Sequence, residues 1–167
     1  MLDGDRGGFR LDFEDFYRAE YSKVLRSTQV ACGNSDLAAE ATQEAFSRAF
    51  ARWWTLRDRD WAVGWVITTS LNYCRRHSSR ALKGLRLARQ LAEHTAVPAA
   101  EREAGLDLEE GIRGLAHRQR QAVVLYYVAD LPVYAVAEAM GIGEGAVKSH
   151  LSRARQNLRD RLSVQDG

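Results

Sequence analysis

Proline is scarce in this 167-residue chain: there are two, Pro98 and Pro132. Neither strand alternation nor paired turn signals appear, so a β-rich fold is excluded. Cysteine is equally rare. Cys32 and Cys74 lie far apart in sequence without CxxC spacing, which fits a reducing cytoplasm better than a disulfide framework. Long apolar runs are missing as well. The longest uncharged stretch, Trp61 to Cys74, contains Thr, Ser and Asn and is too short and too polar to cross a bilayer, so no membrane insertion is expected. The start, Met1-Leu2-Asp3-Gly4-Asp5, has neither a basic nor an apolar segment, which argues against secretion and for a cytoplasmic protein. Catalytic signatures are absent too. His77, His94, His117 and His150 have no HExxH spacing and no cysteine at metal-ligand distance, and there is no GxxxxGK[ST] loop or GxSxG elbow. No cofactor, no metal and no enzymatic activity are expected.

Apolar residues at 46% and charged residues at 28% describe a globular chain. The length suits one ordinary domain or two very small ones. The formal net charge is only +2, but it is unevenly distributed. Residues 1–89 carry 15 basic and 11 acidic side chains, a balance of +4. Residues 90–110 carry one base and six acids, and residues 111–167 carry eight bases and five acids. Two basic ends flank an acidic middle. Arg outnumbers Lys 21 to 3, a bias that suits bidentate phosphate contacts or reflects a GC-rich genome.

Apolar residues recur at spacings of three and four, which predicts an all-α fold. A first helix is expected to start at Asp12 as N-cap with Asp15 in its first turn, placing Phe13, Phe16, Tyr17, Val24 and Leu25 on one side. Gly33 follows its end. A second helix from Asn34-Ser35 turns Ala38, Ala41, Ala45, Phe46, Ala49, Phe50 and Trp53 inward, and a third runs from Asp58–Asp60 to about Arg76. Trp61 and Trp65 are an i, i+4 pair assigned to the core, with Trp54 the exposed tryptophan. Residues 85–105 contain no Phe, Trp or Tyr, and Ala96-Val97-Pro98-Ala99-Ala100 amid Glu93, Glu101 and Glu103 marks a linker with some helix. Helical patterning resumes at Leu106. Two small helical domains follow, 9–84 and 106–162, joined by the 85–105 linker.

The most specific local signal is Val133 to Val147. A helix beginning at or just after Pro132, a left-handed stop at Gly141 and an N-cap at Gly143 give helix-turn-helix spacing. In the second of these helices, Val147, Leu151, Ala154, Leu158 and Leu162 form an apolar stripe. The opposite face holds Gly145, Ser149, Ser152, Arg153 and Gln156, edged by Lys148 and Arg159. Residues near the start of such a helix reach base edges in the major groove, which makes Lys148, Ser149, Ser152 and Arg153 the candidate DNA contacts. A plain helical hairpin with a solvated basic face fits the same turn and stripe.

Arg118-Gln119-Arg120, Val124-Leu125, Ala137-Glu138-Ala139-Met140-Gly141-Ile142 and Val147-Lys148-Ser149-His150-Leu151-Ser152-Arg153-Ala154-Arg155 together resemble the σ4 domain of extracytoplasmic-function sigma factors. Ala39 to Phe46 resembles the polymerase-binding helix of the matching σ2 domain, and Trp65 to Asn72 its promoter-melting helix. The chain departs from the family at Ala39, Ala41, Arg76, Gly143 and Ala146, where Glu, Leu, Asp and hydroxyl residues are common.

The resemblance implies a chain that joins core RNA polymerase and directs it to promoter DNA, restrained by an anti-sigma factor. It implies polymerase contacts by Glu40, Gln43 and Glu44. It also implies contacts of Asn72, Arg75, Arg76 and Arg80 with the −10 element, and of the helix-turn-helix with the −35 element. Arg75, Arg76, His77, Arg80, Lys83, Arg86 and Arg89 form a run without one acid, suited to phosphate. A linker of about 20 residues stretches to at most ~70 Å, roughly two turns of B-DNA, so it can serve two separated elements. Two other readings remain open from the residues: a stand-alone helix-turn-helix regulator with an N-terminal dimerisation or sensing bundle, and a protein-binding helical adaptor.

Overall fold

The computed structural model describes residues 5–91 and 106–165, and every regular element in them is helical. The middle of the expected linker, 92–105 with Pro98, lies outside the described residues, as do the side chains of Arg86 and Arg89. Helix α1 spans Asp5–Cys32, α2 Ser35–Ala51, α3 the single turn Trp53–Leu56, and α4 Ala62–Leu91. The second group comprises α5 Leu106–Arg113, α6 His117–Val123 continued by a π-helical turn Val124–Val128, α7 Val133–Met140 and α8 Glu144–Gln165.

Local chemistry sets most of these boundaries. Gly33, at φ +71°, ends α1, and its N–H donates to Gln29 O. One residue later the Asn34 side chain caps α2 by accepting from the Leu37 N–H at 2.9 Å. Two boundaries differ from expectation. Asp12 is not the cap of α1, which begins seven residues earlier at Asp5; once a helix is nucleated, further turns cost little. Asp12 instead faces Arg57, 3.8 Å away. Helix α4 likewise runs past Arg76 to Leu91, because no Gly-Pro stop interrupts it.

The first bundle packs α1, α2 and α4 around aromatic rings. Phe16 meets Phe46 edge-on at 6.1 Å and Trp53 at 4.8 Å, while Ala38, Ala41, Ala45 and Ala49 let α2 lie close to its neighbours. Phe50, expected inside, is 45% exposed, and Trp53 belongs to α3 because α2 ends at Ala51. Trp61 and Trp65 are half-buried against the core and Trp54 is 55% exposed, as their spacing implied. A Thr28–Ser70 hydroxyl pair at 2.7 Å ties α1 to α4 inside this apolar setting.

The two bundles do not stand apart. One buried cluster runs from Val24, Phe46 and Ile67 in the first to Leu125, Leu131 and Val136 in the second. Helix α7 lies against α4, where Gly64 leaves so little room that a Cβ there would stand 2.8 Å from the Ala139 Cβ and 3.0 Å from Leu131 Cδ1. At the rim, Tyr134 donates its hydroxyl proton to Asp60 at 2.6 Å. Arg120 of α6 reaches Ala31 O near the end of α1, at 3.4 Å.

Candidate nucleic-acid and polymerase interface

The helix-turn-helix forms as its glycines require. Gly141 sits at φ +66° and closes α7 in a Schellman arrangement, with Ile142 N–H donating to Ala137 O at 3.1 Å and Gly141 N–H to Glu138 O at 3.2 Å. The Gly143 carbonyl then accepts from Ala146 and Val147 to start α8. Val147, Leu151 and Ala154 are buried against α6 and α7, whereas Leu158 is half-buried and Leu162 exposed, so the apolar stripe fades along α8. Lys148, Ser149, Ser152 and Arg153 all face solvent on the other side, together with Gly145 and Gln156. Glu144 opens this helix, and Lys148 and Arg153 place two exposed cations on the same uncovered side. Arg155, two residues beyond Arg153, donates to the Tyr127 hydroxyl at 3.0 Å.

On α2, Glu40 and Gln43 are exposed and Glu44 is half-buried. Each already has a neighbour. Tyr73 donates to Glu40, which pushes the phenol's pKa up; Gln43 donates to Tyr17 OH at 3.4 Å; Glu44 pairs with Arg48 at 2.8 Å. The result is a mixed polar ridge with short local bonds that solvent already weakens.

Arg75, Arg76 and Arg80 are exposed along α4, and Lys83 beyond them. A concavity of about 400 Å³ opens beside them, lined by Arg48, Arg52, Trp65, Thr69, Asn72 and Arg76. The Arg52 guanidinium lies over the Trp65 ring at 6.0 Å. Asn72 is half-buried at the inner edge of this hollow, and its Oδ1 accepts from His117 Nε2 at 2.9 Å and from Gln121 Nε2 at 3.1 Å. Since that oxygen can only accept, the His117 proton is on Nε2. Burial first, then Arg75, Arg120 and Arg118, hold the His117 pKa down at about 4. Asn72 thus belongs to the seam between the bundles as well as to the hollow.

Residues 106–158 match the family model described as Sigma-70, region 4. The sigma-E factor of Streptomyces coelicolor is 31% identical over 158 residues, covering 93% of this chain and 89% of the relative. The chain belongs to the extracytoplasmic-function sigma factors of the sigma-70 family. The sigma factor SigM of Mycobacterium tuberculosis, named as one of that group, is 25% identical across 95% of this chain and 81% of its own. Two solved structures share the fold. One is the sigma factor RpoE of Bartonella quintana in complex with the anti-sigma factor NepR, with TM-score 0.66, 20% identity, and 92% of this chain and 98% of that one covered. The other is CnrH in complex with the cytosolic domain of CnrY, also at 0.66, with 18% identity over 91% and 88%.

Sequence patterning alone did not find the groups this sigma factor uses to bind its halves together. His117 and Gln121 share one face of α6 at i, i+4 spacing, which was the available signal, but nothing local names Asn72 as their partner. His117 is half-buried and ties α6 to α4. Arg48 and Arg52 also stand at the rim of the hollow, where no sequence motif marks them. Among the described residues, no group of three His, Cys, Asp or Glu is placed to hold a metal ion, and no helix is long and apolar enough to cross a membrane.

Proposed function

We propose that this sigma factor binds core RNA polymerase in the cytoplasm and directs it to promoters, with no catalysis of its own. The observation that carries the reading is the bare cationic face of α8: Lys148, Ser149, Ser152 and Arg153 are exposed in a chain 31% identical to a sigma-E factor along nearly its whole length. Residues 9–84 would act as the σ2 part and 106–162 as the σ4 part, joined by 85–105. The α8 residues read the −35 element in the major groove, where Arg and Lys pair with guanine or phosphate and the serines donate to either.

The hollow beside α4 suits the opened −10 element. The hollow has room for a flipped base beside Trp65 and Arg52 with Asn72 at its polar edge, and Arg75, Arg76 and Arg80 meet the backbone phosphates. Glu40, Gln43 and Glu44 on α2 face the polymerase. Asn72 spends its acceptor on His117 and Gln121, so full use of the σ2 surface requires the bundles to part. The separation is bridged by the linker, and tethering lets two weak contacts act as one strong one. The two solved relatives are bound to an anti-sigma factor and to the cytosolic domain of CnrY; an anti-sigma factor that selects the packed arrangement fits this chain.

The test is transcription in vitro from core polymerase, this protein and a promoter selected from random DNA. Promoter-dependent initiation is expected, and a requirement for another sigma factor would return the chain to the stand-alone regulators. In the same assay, replacing Gln43 and Glu44 together by Ala should abolish co-purification with polymerase while the protein remains folded.

A further inference from the structure

The fold brings together the two cysteines that the sequence keeps apart. Cys32 is the last residue of α1 and Cys74 lies midway along α4, and each thiol is the largest influence on the other's ionisation. Neither is in a disulfide. They share the wall of a cavity of about 180 Å³ with Arg75, His117 and Arg120, at the seam between the bundles. That space is several times the ~30 Å³ share of a water molecule, so a small oxidant fits beside the sulfurs.

The pair is chemically asymmetric. The neighbouring Cys74 is the largest influence holding the Cys32 pKa down at about 7, against the opposing effect of burial; the Asn34 backbone N–H, Arg120 and Arg113 add to it. Cys32 in turn, together with burial, pushes the Cys74 thiol up. Cys32 is half-exposed and Cys74 buried. A nucleophilic thiolate with access and a protonated thiol lining the same cavity is the arrangement of an attacking and a resolving cysteine.

We propose that Cys32 and Cys74 form a peroxide-reactive dithiol, and that closing its disulfide loosens the grip of Arg120 across the seam. The Cys32 sulfur attacks one peroxide oxygen; an S–O bond forms, the O–O bond breaks, and the released hydroxide takes a proton to leave as water. Cys74 then gives up its proton and attacks the sulfenic sulfur; an S–S bond forms, the S–O bond breaks, and a second water departs. Two thiols lose two electrons in total, and one hydrogen peroxide gains them. The resulting disulfide is reversible by cellular thiols, as befits a reducing compartment.

Arg120 transmits the change. Its Nη1 donates to Ala31 O in the first bundle at 3.4 Å, its Nη2 to Leu115 O in the second at 3.1 Å and to Arg113 O, and its Nε is buried without a partner. Burial weighs against its charge, the Cys32 thiolate supports it, and Arg113 opposes it. A disulfide carries no charge, so oxidation leaves this half-buried guanidinium without the thiolate that compensates it. The chemistry stands independently of the proposed role with polymerase.

The experiment exposes the reduced full-length protein to stoichiometric hydrogen peroxide, alkylates the remaining thiols and maps the peptides. A Cys32–Cys74 linked peptide is expected as the main product in the unsubstituted protein, and recovery of both cysteines alkylated overturns the proposal. Cys74→Ser should accumulate a sulfenic acid at Cys32 that dimedone traps. Cys32→Ser should react at least about tenfold more slowly, because the thiol that remains, Cys74, is buried and held in its protonated form; an equal rate assigns the reactivity elsewhere and refutes it. Hydrogen exchange at α6 should rise several-fold on oxidation of the unsubstituted protein and remain level in Cys32→Ser. Unchanged exchange in a protein whose disulfide has formed refutes the coupling to the seam.

Discussion

Gly64 on α4 and Ala139 on α7 meet with no space for another carbon: a Cβ on Gly64 would stand 2.8 Å from the Ala139 Cβ. Neither residue has a flexible side chain that can turn away, so the helix backbones themselves would have to separate. This contact joins the two bundles, and it makes their packing sensitive to one methyl group.

Gly64→Val should therefore wedge the bundles apart while each retains its own helices. Overpacking of this kind costs about 1–3 kcal/mol. Small-angle scattering should show a larger radius of gyration with unchanged helical circular dichroism; an unchanged radius would mean that the seam yields elsewhere.

Asn72 is the polar counterpart of that contact. Asn72→Ala removes the acceptor used by His117 and by Gln121, which is only 1% exposed. Leaving a buried amide unsatisfied costs roughly 1–3 kcal/mol, to be read as a lower denaturation midpoint. Asn72→Asp keeps an acceptor and should recover much of the loss.

The pH dependence has a definite sign. His117 has a pKa of about 4 in the folded chain against an ordinary 6.5, so below 6.5 the unfolded or separated form takes up a proton that the packed form refuses. Its contribution is complete above that pH and is lost as pH falls from 6.5 towards 4. Because the ring is half-exposed, solvent reduces the effect to on the order of 1–2 kcal/mol. Denaturation midpoints measured across this window should fall in the parent protein and stay flatter in His117→Gln.

On α8, Lys148 and Arg153 should separate by kind of contact. Arg153→Ala should cost about 1–3 kcal/mol of promoter affinity and relax preference at one base position. Lys148→Ala should weaken all sequences alike and lower the salt slope by about one, if its contact is to phosphate. Both are exposed, so the melting temperature should not move; binding isotherms at several salt concentrations read the rest.

Much of this molecule is written in local pattern. Asn34 beside Gly33, and Pro132, Gly141 and Gly143 around α7, place helix ends because caps and left-handed turns depend on the residues at hand. The stripe of Val147, Leu151 and Ala154 determines which face of α8 is buried, and thereby leaves Lys148, Ser149, Ser152 and Arg153 outside. Those are properties of period and propensity, and sequence by itself determined them. The length of α4 and the early start of α1 were less legible, since propagation of a nucleated helix needs no marker residue. The seam was decided by tertiary structure alone. Gly64 with Ala139, Asn72 with His117, and Cys32 with Cys74 are distant pairs whose meeting depends on how four helices cross, and no residue type or spacing encodes a crossing.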